Sequence, residues 1–186
     1  AGPGRAHARK VLLLRGCVQP SLAPNIDAAA ARVLDRAGIE TVCAAGTGCC
    51  GAVRAHLDDD SGALGDMRRN IDAWFPMIAS GEAQAIITSA SACSLAVKEY
   101  GHALRGDARY ADRAARISSV ALDLSEMLPQ IVPALQGGLR LAGGPRLVFH
   151  APCTLQHGQG LRGGVEMQVR NLGFDVHVAG CESHLC

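Results

Sequence analysis

Two adjacent cysteines, in Gly48-Cys49-Cys50-Gly51, constrain this chain more than any other feature. Neighbouring cysteines hardly ever bond each other without backbone strain, whereas two adjacent thiolates can both face a metal cluster. Cys17 stands 32 positions before Cys49, and Cys93 stands 43 after Cys50, so Cys17, Cys49, Cys50 and Cys93 make a complete four-thiolate set. A fold that uses this set must bring three separate segments of chain to one place. Cys153 stands 33 positions before Cys186, the last residue, and this pair reads as the same framework begun again and broken off.

The apolar pattern supplies a fold that can do this. Lys10 to Gly16 reads as a first strand, and Asn25 as the cap of a helix whose apolar face is Ile26, Ala30, Val33 and Ala37, ended by Gly38. Ile39 to Ala44 is a second strand leading into the glycine-rich turn with the doublet. Asp66 opens a helix with Met67, Ile71, Trp74 and Ile78 at helical spacing and Gly81 as its stop, and Gln84 to Thr88 is a third, buried strand. Strands alternating with helices predict an α/β fold, a Rossmann-like parallel sheet flanked by helices. Cys17 and Cys93 each follow a strand, and strand C-terminal ends are where ligands gather in such sheets, with helix N-termini favouring anions.

Asp123 to Glu126 resembles a capping box ahead of a short helix limited by Pro129 and Pro133. Gln136 to Pro145, rich in glycine and proline, is the expected boundary between a first domain, residues 1–140, and a second, residues 141–186. Beyond it, Arg146 to His150 reads as a strand, Val165 to Leu172 as a helix capped by Gly173, and Phe174 to Val178 as the next strand. That order matches residues 10 to 51, so an internal duplication with a truncated second copy is the simplest account.

Composition excludes several function classes. With 186 residues and 48% hydrophobic content the chain can bury a real core. A net charge of +1, with basic and acidic residues interspersed, leaves no footprint for nucleic acid or an acidic membrane surface. No apolar run reaches the roughly 18 residues of a membrane span, and neither a signal peptide nor an anchor is visible. Cysteines without an evident pairing scheme indicate a reducing, cytoplasmic compartment. The chain has no initiator Met and stops inside a motif, so it reads as a piece of a longer protein. Ala44 to Gly48 lacks a Walker lysine and a full Gly-x-Gly-x-x-Gly, which argues against nucleotide binding. Asp58-Asp59-Asp60 reads as a solvated loop, and no hydrolase motif occurs. No catalytic residue is assigned.

Four thiolates from strand ends suit either a cubane-type iron-sulfur cluster or tetrahedral zinc, and spacing does not choose between them. Cys43, inside a strand run, reads as a core residue. Cys181, His184 and Cys186 form a short string that could ligate zinc with Cys153 or His157, although a structural role for Cys181 and His184 is favoured. His150 and His157 flank Cys153 and are candidates either to hydrogen-bond its thiolate or simply to pack.

The order Cys17, Cys49-Cys50-Gly51, Cys93 resembles the cysteine-rich CCG domain of heterodisulfide reductases and their relatives, which usually comes as two copies. His150-Ala151-Pro152-Cys153-Thr154-Leu155-Gln156-His157-Gly158, Ala90-Ser91-Ala92-Cys93 with Val97-Lys98-Glu99-Tyr100-Gly101, and Glu182-Ser183-His184-Leu185-Cys186 resemble the iron-sulfur subunits of glycolate oxidases. The resemblance runs from about Lys10 to Cys186. It implies an electron-transfer subunit with a 4Fe-4S type cluster on Cys17, Cys49, Cys50 and Cys93, and Cys153 and Cys186 as metal ligands of an unfinished second site. It also implies a partner subunit that carries flavin and oxidises glycolate or a similar 2-hydroxy acid, in a cytoplasmic complex peripheral to the inner membrane. The ferredoxin-like region of that family, with its Cys-x-x-Cys-x-x-Cys runs, is absent from these residues. Ala90 stands where heterodisulfide reductases have the first cysteine of a Cys-x-x-Cys, which counts against the alternative of disulfide reduction. The remaining alternative is a zinc-stabilised module that holds subunits together.

Overall fold

The computed structural model describes residues 7–136, 138 and 146–179. It divides into two compact units, Ala1–Leu124 and Ser125–Cys186.

The first unit is built on four parallel strands: β1 (Arg9–Leu14), β2 (Ile39–Val42), β3 (Ala85–Thr88) and β4 (Ala121–Asp123), in the order β2-β1-β3-β4. β1 is central, pairing Val11 with Thr41 on one side and Leu12 with Ile86 on the other. Residues in register share a face of the sheet, and successive residues alternate. Leu12, Leu14 and Ile86 accordingly enter one core, whereas Val11, Leu13 and Ile87 are buried outside it. Both faces are therefore covered, as a parallel sheet requires.

The helices α1 (Gln19–Leu22) and α2 (Pro24–Arg36) connect β1 to β2. α2 begins at Pro24 rather than after an Asn25 cap, because proline's fixed φ and missing N–H suit a first helical position. Its buried residues Ala30 and Leu34 form the inward stripe, and Gly38, at φ +78°, ends it as expected. α3 (Ala52–His56) and α4 (Asp60–Ala79) follow the doublet. α4 starts at Asp60, earlier than the expected Asp66, because the Asp59 side chain caps it by accepting the Gly62 N–H at 3.0 Å. The triple aspartate is thus a helix start rather than a solvated loop. Met67, Ile71, Trp74 and Ile78 form the buried stripe as predicted.

Beyond β3 the structure adds α5 (Ser91–Lys98), α6 (Tyr100–Ala103), α7 (Ala111–Ser119) and β4, none of which the apolar pattern singled out. A buried polar set joins these elements: Ser94 of α5 donates to Asp123 at the end of β4 (2.9 Å) and hydrogen-bonds Thr88 at the end of β3. All three are at least 95% buried, so α5 is held to the sheet by polar bonds as well as by packing.

The second unit holds α8 (Leu124–Gln136, which starts one residue before it), β5 (Leu147–Phe149), a π-helical turn at Thr154–Gly158, α9 (Gly164–Asn171) and β6 (Val176–Val178). α8 runs through Pro129 and Pro133 instead of stopping at them. The two prolines stand four apart on one face, which confines the missing hydrogen bonds there, while Met127, Ile131, Val132 and Leu135 are buried. β5 and β6 pair in parallel, Leu147 opposite Val176, with α9 between them in sequence. Of the expected 136–145 boundary, residues 137 and 139–145 lie outside the described residues. No helix among the described residues is long and apolar enough to cross a membrane.

Replacing Asp59 with Ala removes the α4 cap and should destabilise the fold by about 1 kcal/mol, read as a lower denaturant midpoint at unchanged m-value.

Candidate metal centre

The strand order reverses between β1 and β3: the chain leaves β1 to form β2 on one side and returns to form β3 on the other. At such a switch point the loops at the strand C-terminal ends diverge and leave a crevice. Cys17 lies three residues past β1, the doublet fills the turn between β2 and α3, and Cys93 sits in the first turn of α5. The crevice brings them together in two pairs, Cys17 Sγ to Cys49 Sγ at 3.4 Å and Cys50 Sγ to Cys93 Sγ at 3.4 Å.

A pocket of about 380 Å³ opens beside these thiols and is lined by Gly16, Cys17, Cys50, Ala90 and Cys93, with apolar walls from Ile26 and Val53. Ala90 presents a methyl group here, at the position where the resemblance would place a fifth cysteine.

Glycine is required at two points. Gly51 has φ +92°, and a Cβ there would meet the Ala63 carbonyl oxygen of α4 at 3.0 Å. Gly16, at φ +72°, would place a Cβ 3.8 Å from Cys93 Sγ. The close approach at Gly51 is held by ion pairs on both sides of Asp66, to Arg54 of α3 (3.1 Å) and to Arg69 of α4 (2.7 Å).

Beneath the doublet lies a buried hydrogen-bond cluster that sequence reading missed. Asn70 Oδ1 accepts the Gly48 N–H (2.9 Å), and Asn70 Nδ2 donates to the Cys49 carbonyl (2.7 Å) and to the Tyr100 hydroxyl (3.1 Å). Tyr100 in turn donates to the Cys50 carbonyl (2.9 Å). Both side chains are fully buried, and Tyr100 stacks on Trp74 with centroids 6.4 Å apart. The one available signal was Asn70 itself, a polar residue one position from Ile71 on the buried stripe of an amphipathic helix. With the carbonyls of Cys49 and Cys50 turned into the core, the following N–H groups are free to face sulfur. Gly51 N–H donates to Cys49 Sγ at 3.4 Å.

Crowding makes the thiols unequal. The hydrogen bond between the two sulfurs draws the Cys50 thiol down to about 6, against its burial and with help from the Ala52 N–H. Cys93, sharing that bond and itself buried, is pushed up. Burial pushes Cys49 up to about 11, partly offset by the Gly51 N–H. Four thiolates this close repel one another, so full ionisation requires a cation among them.

Among the described residues no three His, Cys, Asp or Glu side chains lie close enough to share one metal ion. A single tetrahedral zinc, bonded to sulfur at about 2.3 Å, would draw all four sulfurs to about 3.8 Å of one another. Within each pair the sulfurs stand 3.4 Å apart, near the spacing of two ligands on one metal atom. The soft, all-sulfur donor set suits iron-sulfur chemistry equally well.

The other candidates behave differently. Cys43 is exposed just beyond β2, not in the core, because β2 ends at Val42 and the chain turns outward there. Cys153 immediately precedes the π-helical turn, and His157 in that turn pairs with Arg162 at 2.9 Å. Cys181, His184 and Cys186 lie outside the described residues.

Residues 11–98, which include all four clustered thiols, match the cysteine-rich domain known as CCG. The chain is 49% identical over 99% of its length to the glycolate oxidase iron-sulfur subunit of Escherichia coli, covering 44% of that protein. It is 27% identical over 93% of its length to lactate utilization protein A of Geobacillus thermodenitrificans, covering 66% of it. A probable glycolate oxidase iron-sulfur subunit of Bacillus subtilis is 26% identical over 66% of the chain, which covers 27% of that relative. The chain thus spans less than half of the Escherichia coli relative.

In the metal-free CCG segment, ultraviolet absorbance of thiolate should rise first with a midpoint near 6, from the Cys50–Cys93 pair acting as a unit. Cys93→Ala removes this hydrogen-bond partner and should move that step up towards the ordinary thiol range, which an unchanged midpoint would contradict.

Proposed function

We propose that Cys17, Cys49, Cys50 and Cys93 hold an iron-sulfur cluster of the 4Fe-4S type, and that this chain carries electrons within an oxidoreductase complex. The observation that carries the reading is the meeting of two thiol pairs, from three separate segments, at the switch point of a parallel sheet. Bound there, such a cluster supplies one-electron uptake and release. The chain's own residues bind it through thiolates, shape its pocket with Gly16 and Ala90, and aim the Gly51 N–H at sulfur.

The names of the relatives point to substrates of one chemical class, since glycolate and lactate are both 2-hydroxy acids. Oxidation of such an acid releases a hydride equivalent, which a flavin can take and pass on as single electrons. A flavin subunit is therefore the proposed donor, and this chain the proposed relay, in the cytoplasm or at the inner membrane surface through the complex. The β-α-β order of residues 147–178 supports a second, related domain in residues 141–186, begun by Cys153 and continued by Cys186.

Iron per chain in anaerobically prepared variants tests the assignment. Cys49→Ser and Cys50→Ser keep the side-chain volume but weaken soft-metal ligation, so both should lose most of their iron and their charge-transfer colour. Cys43→Ser, at an exposed position, should retain both. Equal iron in Cys49→Ser and the parent protein would overturn the ligand set, and a colourless parent with stoichiometric zinc would favour the structural module.

A further inference from the structure

The hydrogen bonds beneath the doublet form a directed chain that ends on a thiol sulfur. Asn70 Nδ2 donates to the Tyr100 hydroxyl, which donates to the Cys50 carbonyl, and the N–H of that same peptide unit, on Gly51, donates to Cys49 Sγ. Its direction is fixed. Gly48 N–H can only donate and the Cys49 carbonyl can only accept, so Asn70 cannot be flipped without setting donor against donor and acceptor against acceptor. Burial pushes the Tyr100 phenol up, so the hydroxyl keeps its proton.

A donor on a peptide oxygen draws electron density through the amide and strengthens that amide's N–H as a donor in turn. Hydrogen bonds to cluster sulfurs stabilise the added negative charge of the reduced state and raise its potential. We propose that Tyr100, held by Asn70, is a positioning residue that sets the reduction potential of the metal centre through the Cys50–Gly51 peptide. The inference rests on the iron-sulfur reading above. It assigns a function to a side chain whose hydroxyl bonds a peptide carbonyl rather than a sulfur.

The chain has only two tyrosines, which makes the test clean. Tyr100→Phe keeps the ring against Trp74 but removes the donor, so the potential should fall while iron per chain is retained. A tenfold drop in the reduced-to-oxidised ratio at fixed poise corresponds to about 59 mV for a one-electron couple. The electron paramagnetic resonance signal should change with it. Tyr110→Phe removes a hydroxyl bonded to Asp72 instead of to the doublet, and should leave potential and signal as they are.

If Tyr100→Phe fails to fold, 3-fluorotyrosine incorporated at position 100 in the Tyr110→Phe background gives the reverse test. The fluorinated phenol is the stronger donor and should raise the potential at nearly unchanged volume. A merely structural tyrosine predicts no ordered shift. Unchanged potential and signal in Tyr100→Phe, or a lowered potential with fluorotyrosine, overturns the proposal while leaving the iron-sulfur reading intact. A reconstituted parent protein that holds no iron overturns the iron-sulfur reading itself, and this proposal with it.

Discussion

The reversal of strand order between β1 and β3 is the constraint on which the site depends. Cα atoms of adjacent parallel strands lie about 4.8 Å apart, so the segments following β1 and β3 leave the sheet as near neighbours. They then diverge towards α1 on one side and α5 on the other, because their connections run to opposite sides of β1. The opening between them receives Cys17 from one and Cys93 from the other. The doublet arrives from the far side, over the end of β2, and needs a separate support to reach the same point.

That support is polar. A turn with two cysteines and several glycines has little apolar surface of its own to bury, and its backbone groups must still be satisfied away from water. Asn70 and Tyr100 meet that need with hydrogen bonds to Gly48, Cys49 and Cys50, and Gly51 allows the turn to lie against α4. The same bonds turn carbonyls inward and N–H groups outward, which suits an anionic sulfur site. Structural satisfaction and electrostatic preparation of the site are thus one arrangement. The Asp66 ion pairs and the Ser94–Asp123 bond serve the flanking helices in the same way, fixing α3 and α5 where their first turns meet the thiols.

Unequal thiols follow from this packing. Cys50 is almost fully buried, yet its hydrogen bond with Cys93 holds it below the ordinary thiol range, while Cys49 sits in a less favourable balance of burial and N–H donation. Like charges at these distances make a bound cationic centre a stabilising partner for the turn rather than only a cofactor. Metal uptake and local order are expected to be coupled.

Much of this was legible in the sequence, and the reasons are local. Alternating apolar runs fixed the parallel α/β class, Gly38 and Gly81 marked helix ends through their backbone freedom, and the stripe from Met67 to Ile78 identified α4's inner face. The doublet itself pointed to a place where thiols from separate segments meet, because adjacent cysteines hardly ever bond each other. Local pattern misled where a residue's role depended on its surroundings. Asp59 became a cap, Pro129 and Pro133 were carried within a helix, and Cys43 fell just past a strand end. Only the tertiary structure decided which thiols pair, since a 3.4 Å contact between residues 43 apart depends on strand order, which periodicity does not encode. Only it could show that Asn70 and Tyr100, 30 residues apart, share one hydrogen bond beneath the doublet, because burying polar groups requires partners that the fold must bring together.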